Sequence, residues 1–555
     1  MTKSELGHPA SAYQARLEIL LGRAVSMLDA EPTSVSHGSF DRTWWCWKFS
    51  DFSASRFQEG VFTLGWLATS PFAPPRFRRN ARLIENLSAA IRFWTTLQHS
   101  DGSFDEAYPF ERSLAATAFT GFYVGCGLER TRNLIPADVR DAGLQAVESG
   151  ARWLATNGEY HGVLSNHLAA AAGALQIAGD LLGTDRFKAA RDRYLGIIYA
   201  NQDPEEGWMR EYSGADPGYQ SHGMFYLAEI WRRTSDAELL ERLDRGARFL
   251  AWFVHPDGTI GGEYASRGTK FTYPAAFEML AGRSQAAAAI AAHLRERIAA
   301  GRGVGPGQMD AWNLFPLLNN HLFATDAAQQ LPIAELPWMQ QGASALFERA
   351  GIVTARRGDR VLVAGLGLGG ALKVWNATAG DLVYEDCGYA TTGADKVRVS
   401  QSKSQWSQNR TSGHELSFEI EAAFIKIPAI RFDPYLFWGF RAFSLTVGRV
   451  PTMARWLKSL LVRVLINRKK QTATEVLKRT IRFDADGTLV VEDRIAGLQH
   501  ALRPLDRHVP FHMGSTRYSD LNDWSGAQFA PPVSFQDSAE ATRRVTLTDT
   551  LVVTR

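Results

Sequence analysis

From about residue 10 to about residue 345, apolar residues recur at three- and four-residue intervals, the spacing that lines one face of an α-helix. The spacing predicts helices over 12–28, 81–98, 137–156, 166–182, 185–201, 223–233, 237–253 and 274–300, most of them rich in Ala and Leu. Three helices run into related turns: Gln98-His-Ser-Asp-Gly-Ser-Phe104, Asn201-Gln-Asp-Pro-Glu-Glu-Gly-Trp208 and Val254-His-Pro-Asp-Gly-Thr-Ile260. In the first and third, Asp-Gly supplies the tight turn because glycine accepts positive φ; the second uses Asp-Pro and a later Gly. Each turn leads into a polar, aromatic loop and then a helix of small residues. This is a loose internal repeat of helix pairs, which bury their apolar faces only against neighbouring pairs, and it predicts a helical toroid.

Near residue 350 the period shortens to two. Residues 351–355, 360–364, 371–375, 396–400, 415–422, 480–483, 488–495 and 544–554 read as strands bounded by Gly, Asp and Asn turns. Asp484-Ala-Asp-Gly-Thr488, between two alternating segments, predicts a hairpin. Many short strands without intervening helices predict an antiparallel sheet or sandwich. The expected fold is α+β and multidomain: an (α/α) toroid over 1–340 and an antiparallel β-sandwich over 341–555, with the boundary at 335–350. One segment departs from it. Residues 451–467 put Met453, Trp456, Leu457, Leu460, Leu461, Val464 and Leu465 on one stripe, behind an aromatic run at 435–443. Arg455, Lys458, Arg463 and Arg468-Lys-Lys470 surround that stripe with positive charge. This basic amphipathic helix either packs on the sheet with a solvated basic face or makes peripheral contact with an anionic membrane surface. No apolar run reaches the ~20 residues needed to span a bilayer.

At 555 residues the chain is too long for one ordinary core, and 61 Lys+Arg against 58 Asp+Glu leave a net charge of only +3. That balance argues against a nucleic-acid partner. Cys46, Cys126 and Cys387 are scattered and odd in number, so neither a disulfide framework nor a metal cluster is expected. The N-terminal residues lack the basic and apolar regions of a secretory signal, which predicts a cytoplasmic protein, peripheral at the inner membrane surface if the basic helix docks there. The 16 Trp residues suit stacking on sugar rings, although large cores use Trp as well.

Chemistry concentrates between Asn166 and Tyr273. Asn166 and His167 stand at the mouth of a helix of small residues, where Asn also serves as an ordinary cap. The loop from Glu206 to His222 carries Trp208, Glu211, Tyr212, Asp216 and Tyr219, and Asp-Pro-Gly presents Tyr219 at the next helix entrance. The loop from Asp257 to Pro274 has Gly261 and Gly262 for close backbone approach, followed by Glu263, Tyr264, Arg267, Thr269, Lys270 and Tyr273. Arg267 suits bidentate recognition of a carboxylate, the plain alternative being an internal pair with Glu263. Trp44, Trp45, Trp47 and Lys48 read as a sugar-stacking platform that also takes in Asp51 and Arg56. Weaker candidates are Asp105, Glu106, Arg112, Asn319-Asn-His321 and Arg507-His-Val-Pro-Phe-His512.

Such groups permit one reaction in particular. A hexuronic-acid residue has an acidic C5 hydrogen, more so when its carboxylate is neutralised by Asn, His or Arg. A nearby Tyr or His removes the proton and a Tyr protonates the leaving glycosidic oxygen, giving β-elimination with no cofactor and no metal. Paired helices ahead of a β domain, an Asn-His pair, a loop Tyr and a Gly-rich Glu/Arg/Tyr loop together resemble the heparinase II/III and alginate-lyase group of polysaccharide lyases. The resemblance implies an acidic polysaccharide or oligosaccharide substrate. It casts Asn166 as carboxylate neutraliser, His167 or His222 as base, and Tyr219 as base or acid. Members of the group are commonly exported, which differs from the cytoplasmic expectation. Rival readings are a glycoside hydrolase using Glu211, Asp216 or Glu263, a uronyl C5-epimerase, and a non-catalytic sugar-binding protein of exopolysaccharide assembly.

Overall fold

The computed structural model describes residues 8–14, 17–159, 162–212, 214–392, 396–409, 415–427, 433–461, 471–505, 518, 528–529, 540–548 and 551–554. The first half is helical: α1 (Ser11–Gln14), α2 (Leu17–Val25), α3 (Arg42–Trp47), α4 (Gly60–Thr69), α5 (Ala81–Thr96), α6 (Leu114–Thr131), α7 (Ala137–Thr156), α8 (Ser165–Leu182) and α9 (Lys188–Ala200). A small hairpin of β1 (Arg210–Glu211) and β2 (Gly214–Ala215) precedes α10 (Pro217–Thr234), α11 (Ala237–Ala251), α12 (Ala275–Leu280), α13 (Gln285–Ala299) and α14 (Ala311–Ala327).

Two kinds of helix alternate. Helices α5, α7 and α11 bury one stripe each; in α11 it is Leu239, Leu243, Gly246, Ala247 and Leu250. Helices α4, α6, α8, α10, α12 and α14 are buried on nearly all sides, and they touch in sequence, α14 returning to α4. Small residues permit this approach: a Cβ on Gly125 of α6 would lie 2.5 Å from Ile177 of α8. The apolar spacing did not mark α4, α6 and α14, because a helix buried all round has no polar face to set a period. The predicted helix over 274–300 is two helices, broken where Ser284 caps the start of α13.

Strands begin at β3 (Ser344–Phe347). They continue with β4 (Ile352–Arg357), β5 (Arg360–Gly365), β6 (Ala371–Asn376), β7 (Leu382–Asp386), β8 (Tyr389–Thr391), β9 (Arg398–Val399), β10 (Gln405–Asn409) and β11 (Leu416–Lys426). Helices α15 (Pro434–Leu445) and α16 (Pro451–Leu461) come next. The last strands are β12 (Thr472–Phe483), β13 (Leu489–Ala496), β14 (Leu502–Pro504), β15 (Gln528–Phe529), β16 (Glu540–Thr548) and β17 (Leu551–Thr554). They form a six-stranded sheet ordered β15-β7-β6-β5-β4-β3 and a nine-stranded sheet running from β14 to β17. Pairing is antiparallel except for β15, which lies parallel to β7. The strand predicted over 544–554 is a hairpin, β16 turning back as β17 with Thr548 opposite Leu551.

Alternation along β5 makes the six-stranded sheet a middle layer. Val361 and Val363 join the helical core with Ile352 and Trp375, while Leu362 and Ala364 face Phe418, Ile420, Ile481 and Val545 of the other sheet. Between the sheets lies an ionic knot. Arg479 pairs with Asp386 at 3.0 Å and Asp493 at 2.7 Å, Arg543 pairs with Asp386 at 3.1 Å, and all four side chains are buried.

The basic helix is observed as α16 to Leu461; Arg463, Val464, Leu465 and Arg468-Lys-Lys470 lie outside the described residues. It does not lay a fully solvated basic face over the sheet. Lys458 turns inward, its Nζ 3.4 Å from Glu111 Oε1 in a loop of the helical half.

Replacing Arg479 with Ala removes the nearer of two buried cations from Asp386 and Asp493 and leaves Arg543 alone to offset both. Urea melts are expected to show a loss of about 3–5 kcal/mol, against under about 1 kcal/mol for Arg544→Ala, whose pair with Glu492 is half exposed.

Candidate active site

Three segments meet at the mouth of α8. Ser165 Oγ donates to Arg210 O and Tyr212 N–H to Val163 O, fastening the β1–β2 hairpin to the helix start. Tyr212 takes φ +58° in the tight turn, a left-handed conformation uncommon outside glycine. Asp216 joins the hairpin to the Gly-rich loop: its Oδ1 accepts the Tyr219 N–H and caps α10, and its Oδ2 accepts the Arg267 N–H at 3.0 Å.

Those attachments gather the polar groups. Asn166 Nδ2 donates to Glu211 Oε1 at 2.7 Å, and Arg267 Nη1 donates to the same oxygen at 2.9 Å. The Arg267 guanidinium sits 3.7 Å above the Tyr219 ring and 5.1 Å from that of Tyr212. His167, beside Asn166, bonds Glu159 Oε2 through Nδ1 at 2.8 Å and meets Phe119 edge-on. Phe119 is flanked in turn by His222, stacked at 5.5 Å, and by the Arg56 guanidinium at 4.3 Å. His222 stacks on Tyr273 at 3.9 Å, and its Nε2 is 2.8 Å from Tyr226 Oη. Asn166, His167, Tyr219, His222, Arg267 and Tyr273 therefore form one connected cluster.

Its electrostatics follow from burial. Burial raises Tyr219 above the ordinary tyrosine range although Arg267 pulls the other way, so Tyr219 is a neutral phenol near pH 7. Burial, reinforced by the Arg56 charge, drives His222 well below the usual histidine range and keeps it uncharged. Burial also raises Glu211, against the pull of Arg267. Glu59, sealed beside Arg56, is pushed by burial up to about 7 despite that arginine's attraction.

Other predicted residues lie elsewhere. Trp45 donates from Nε1 to Met27 O, Trp44 packs on Phe93, Trp47 is exposed, and Lys48 ends α3 in a left-handed turn. Trp45 and Trp44 thus contact the turn after α2 and helix α5, and of this stretch Arg56 is the residue that reaches the cluster, over Phe119. Trp208 bonds Glu206, which accepts the Arg349 and Ala350 N–H groups of the sheet half. Tyr264 is buried with its hydroxyl on His255, while Glu263 and Lys270 join Lys373 of β6. Asn319 bonds Thr63 and the Glu59 carbonyl, and Arg112 pairs with Asp101. Arg507 to His512 lie outside the described residues. Conversely, Phe119, Tyr123 and Tyr226 were not singled out, being apolar-spaced members of buried helices with no sequence signal of a site. Arg56 and Glu106, which pair at 3.0 Å, looked like parts of separate loops.

No protein-family model and no curated protein matches this chain. Solved structures do match. The Streptomyces coelicolor A3 chondroitin AC lyase in complex with chondroitin sulphate aligns at TM-score 0.57 and 12% identity, over 90% of this chain and 68% of that one. A Paenibacillus xanthan lyase aligns at 0.53 and 11%, over 89% of this chain and 46% of its own, so this chain spans less than half of that enzyme. Heparinase III aligns at 0.50 and 11%, over 89% of this chain and 73% of its own. The chain thus has the multidomain helix-plus-sheet fold of these polysaccharide lyases.

Glu59 makes a pH signature. With its folded pKa near 7 against 4.5 for the free group, the folded state holds a proton that the unfolded chain releases, so its contribution is full below about 4.5 and lost as pH rises through about 7. Melting temperatures across this window should fall for the wild type relative to Glu59→Gln; parallel curves would show that Glu59 does not titrate there.

Proposed function

We propose that this chain is a polysaccharide lyase that cleaves a uronic-acid polymer by β-elimination. In this reading the cycle of helices is an (α/α) toroid, the sheets form a β-sandwich, and the cluster at the mouth of α8 is the active site. The observation that carries the reading is the convergence of Asn166 and Arg267 on one carboxylate oxygen beside the Tyr219 phenol. Side chains placed to hold the Glu211 carboxylate are placed to hold that of a uronate.

The chemistry then divides among these residues. Asn166 and Arg267 bind the substrate carboxylate and stabilise the charge that grows on it as the C5 proton leaves. In the tautomer that donates Nδ1–H to Glu159, neutral His167 presents Nε2 as the lone-pair nitrogen to take the C5 proton. The C5–H electron pair becomes the C4–C5 double bond, and the C4–O bond breaks with its pair toward the leaving oxygen. Tyr219, a neutral phenol whose hydroxyl makes no hydrogen bond among the described residues, gives its proton to that oxygen. Solvent then restores both side chains. His222, stacked between Tyr273 and Phe119, supports the wall behind them.

Hydrolysis fits the carboxylates less well. Glu211 is engaged by Arg267, both Asp216 oxygens accept backbone N–H groups, and Glu263 is pinned between Lys270 and Lys373. None of the three is left free for the pair of carboxyl groups, acid with base or acid with nucleophile, that most glycosidases use.

Purified protein incubated with polyuronates and glycosaminoglycans is expected to release unsaturated products that absorb in the ultraviolet. Tyr219→Phe should lower kcat by about 10²–10³ with little change in melting temperature; Arg267→Ala should lower kcat at least as far and also lower the melting temperature, because it leaves the buried Glu211 without its cation. Products with only saturated reducing ends would replace the reading with hydrolysis, and solvent exchange at C5 without cleavage would make the chain an epimerase.

A further inference from the structure

Helices α15 and α16 form an insertion between β11 and β12 that leans on the helical half rather than on the sheets. On α15, Phe440 meets Tyr108 edge-on at 4.9 Å, Arg441 pairs with Asp51 at 3.0 Å, and Ser444 is buried. On α16, Ala454 and Lys458 are buried, the lysine against Glu111. These positions are the inner stripes of two amphipathic helices. The outer stripes carry Tyr435, Leu436 and Trp438 on one helix and Met453, Trp456 and Leu460 on the other. Trp438 is 74% exposed and Trp456 56% exposed. Both inner stripes face the same group of loops, so both outer stripes face away from them, on one side of the molecule.

Charge identifies the occupant. Between Pro434 and Thr474 the sequence has eight Lys and Arg and no Asp or Glu, in a chain whose net charge is only +3. Two of the eight, Arg441 and Lys458, are spent on Asp51 and Glu111, and Arg449 lies over Phe110; exposed Arg455 borders the apolar stripe of α16. Aromatic and aliphatic side chains in a border of cations suit a negatively charged lipid surface, where Trp and Tyr lie at the headgroup level and Arg reaches phosphate. A second copy of the same segment would bring only like charge to it, since the segment has no Asp or Glu.

We infer that the α15–α16 hairpin docks this protein on an anionic membrane surface by inserting its outer stripes into the headgroup boundary. It does so without crossing the bilayer, since no helix among the described residues is long and apolar enough to span one. The inner stripes rest on the loop that sends Glu106 to Arg56. Docking stands apart from the lyase reading, because activity on a soluble polymer does not require it.

The test is co-sedimentation of the full chain with phosphatidylcholine vesicles, with and without phosphatidylserine. Binding is expected only with phosphatidylserine, and it should weaken with salt. The double variant Trp438→Ser, Trp456→Ser should lose at least about tenfold in affinity and Arg455→Ala about fivefold, with circular dichroism and soluble-polymer activity unchanged. Should the double variant misfold, Arg455→Glu carries the test alone. Absence of binding, equal binding to both vesicle types, or binding indifferent to these substitutions overturns the proposal. So does a concentration-dependent dimer that the same substitutions dissolve in a chain that ignores vesicles.

Discussion

A single lysine on the middle sheet sets where the site can be. Lys373 of β6 is buried, and its Nζ lies 2.5 Å from Glu263 and 2.7 Å from Glu385, while Lys270 reaches the same Glu263 at 3.0 Å. Burial alone would raise the Glu263 pKa, yet the two lysines pull it down to about 2; Glu385, more weakly compensated, is raised by burial. Separating such a group from its counter-ion would cost about 3–5 kcal/mol, because the charge left behind has no water to meet it. The Gly-rich loop is therefore tied to the sheet. Two further contacts align it: His255 stacks on Trp375 at 3.9 Å, and Gly365 leaves room for the Tyr264 carbonyl, which a Cβ there would approach to 2.4 Å.

From that anchor the order of the site follows outward. The loop held by Glu263 and Lys270 continues directly into Arg267 and Tyr273. Arg267 is fixed through its backbone by Asp216, and Asp216 is the cap of α10, so the helix that carries Tyr219 and His222 is registered to the same loop. The sheet thereby positions the cluster without placing a side chain in it among the described residues. Its mechanical role explains why a largely helical site comes with a layered β half.

What was legible in the sequence was local. The Asp-Gly turns at 98–104 and 254–260 fold alike: His99 N–H donates to Ser103 O as His255 N–H does to Thr259 O, and Asp101 and Asp257 accept the N–H two residues on. Asn166, Tyr219 and Arg267 could be picked out because each is a functional group set among small or turn-forming residues. Phe119 could not, since it reaches His222 only through packing of the buried helices, and those helices carry no amphipathic period; Arg56 stood out only as part of the aromatic stretch at 41–58, not as a neighbour of Phe119. Trp44 to Trp47 show the converse: a dense aromatic run says nothing about which neighbour it covers, and here Trp45 bonds Met27, Trp44 packs on Phe93 and Trp47 is exposed. The stripe of α16 was equally plain, while its partner Glu111, 347 residues away, was not.

Glu211 bears most directly on how an anion would enter. It already occupies the hydrogen bonds that the proposed reaction assigns to a uronate, so a substrate carboxylate must share Arg267 with it or replace it. Two ionised carboxylates on one buried guanidinium repel strongly in so dry a place. Burial has already shifted Glu211 toward its protonated form, which lowers the cost of taking up a proton as the second anion arrives. Once neutral, Glu211 still accepts from Asn166 and leaves the Arg267 charge to the newcomer. The same carboxylate can thus keep Arg267 and Asn166 aligned over Tyr219 in the empty site and withdraw its charge when the site is filled.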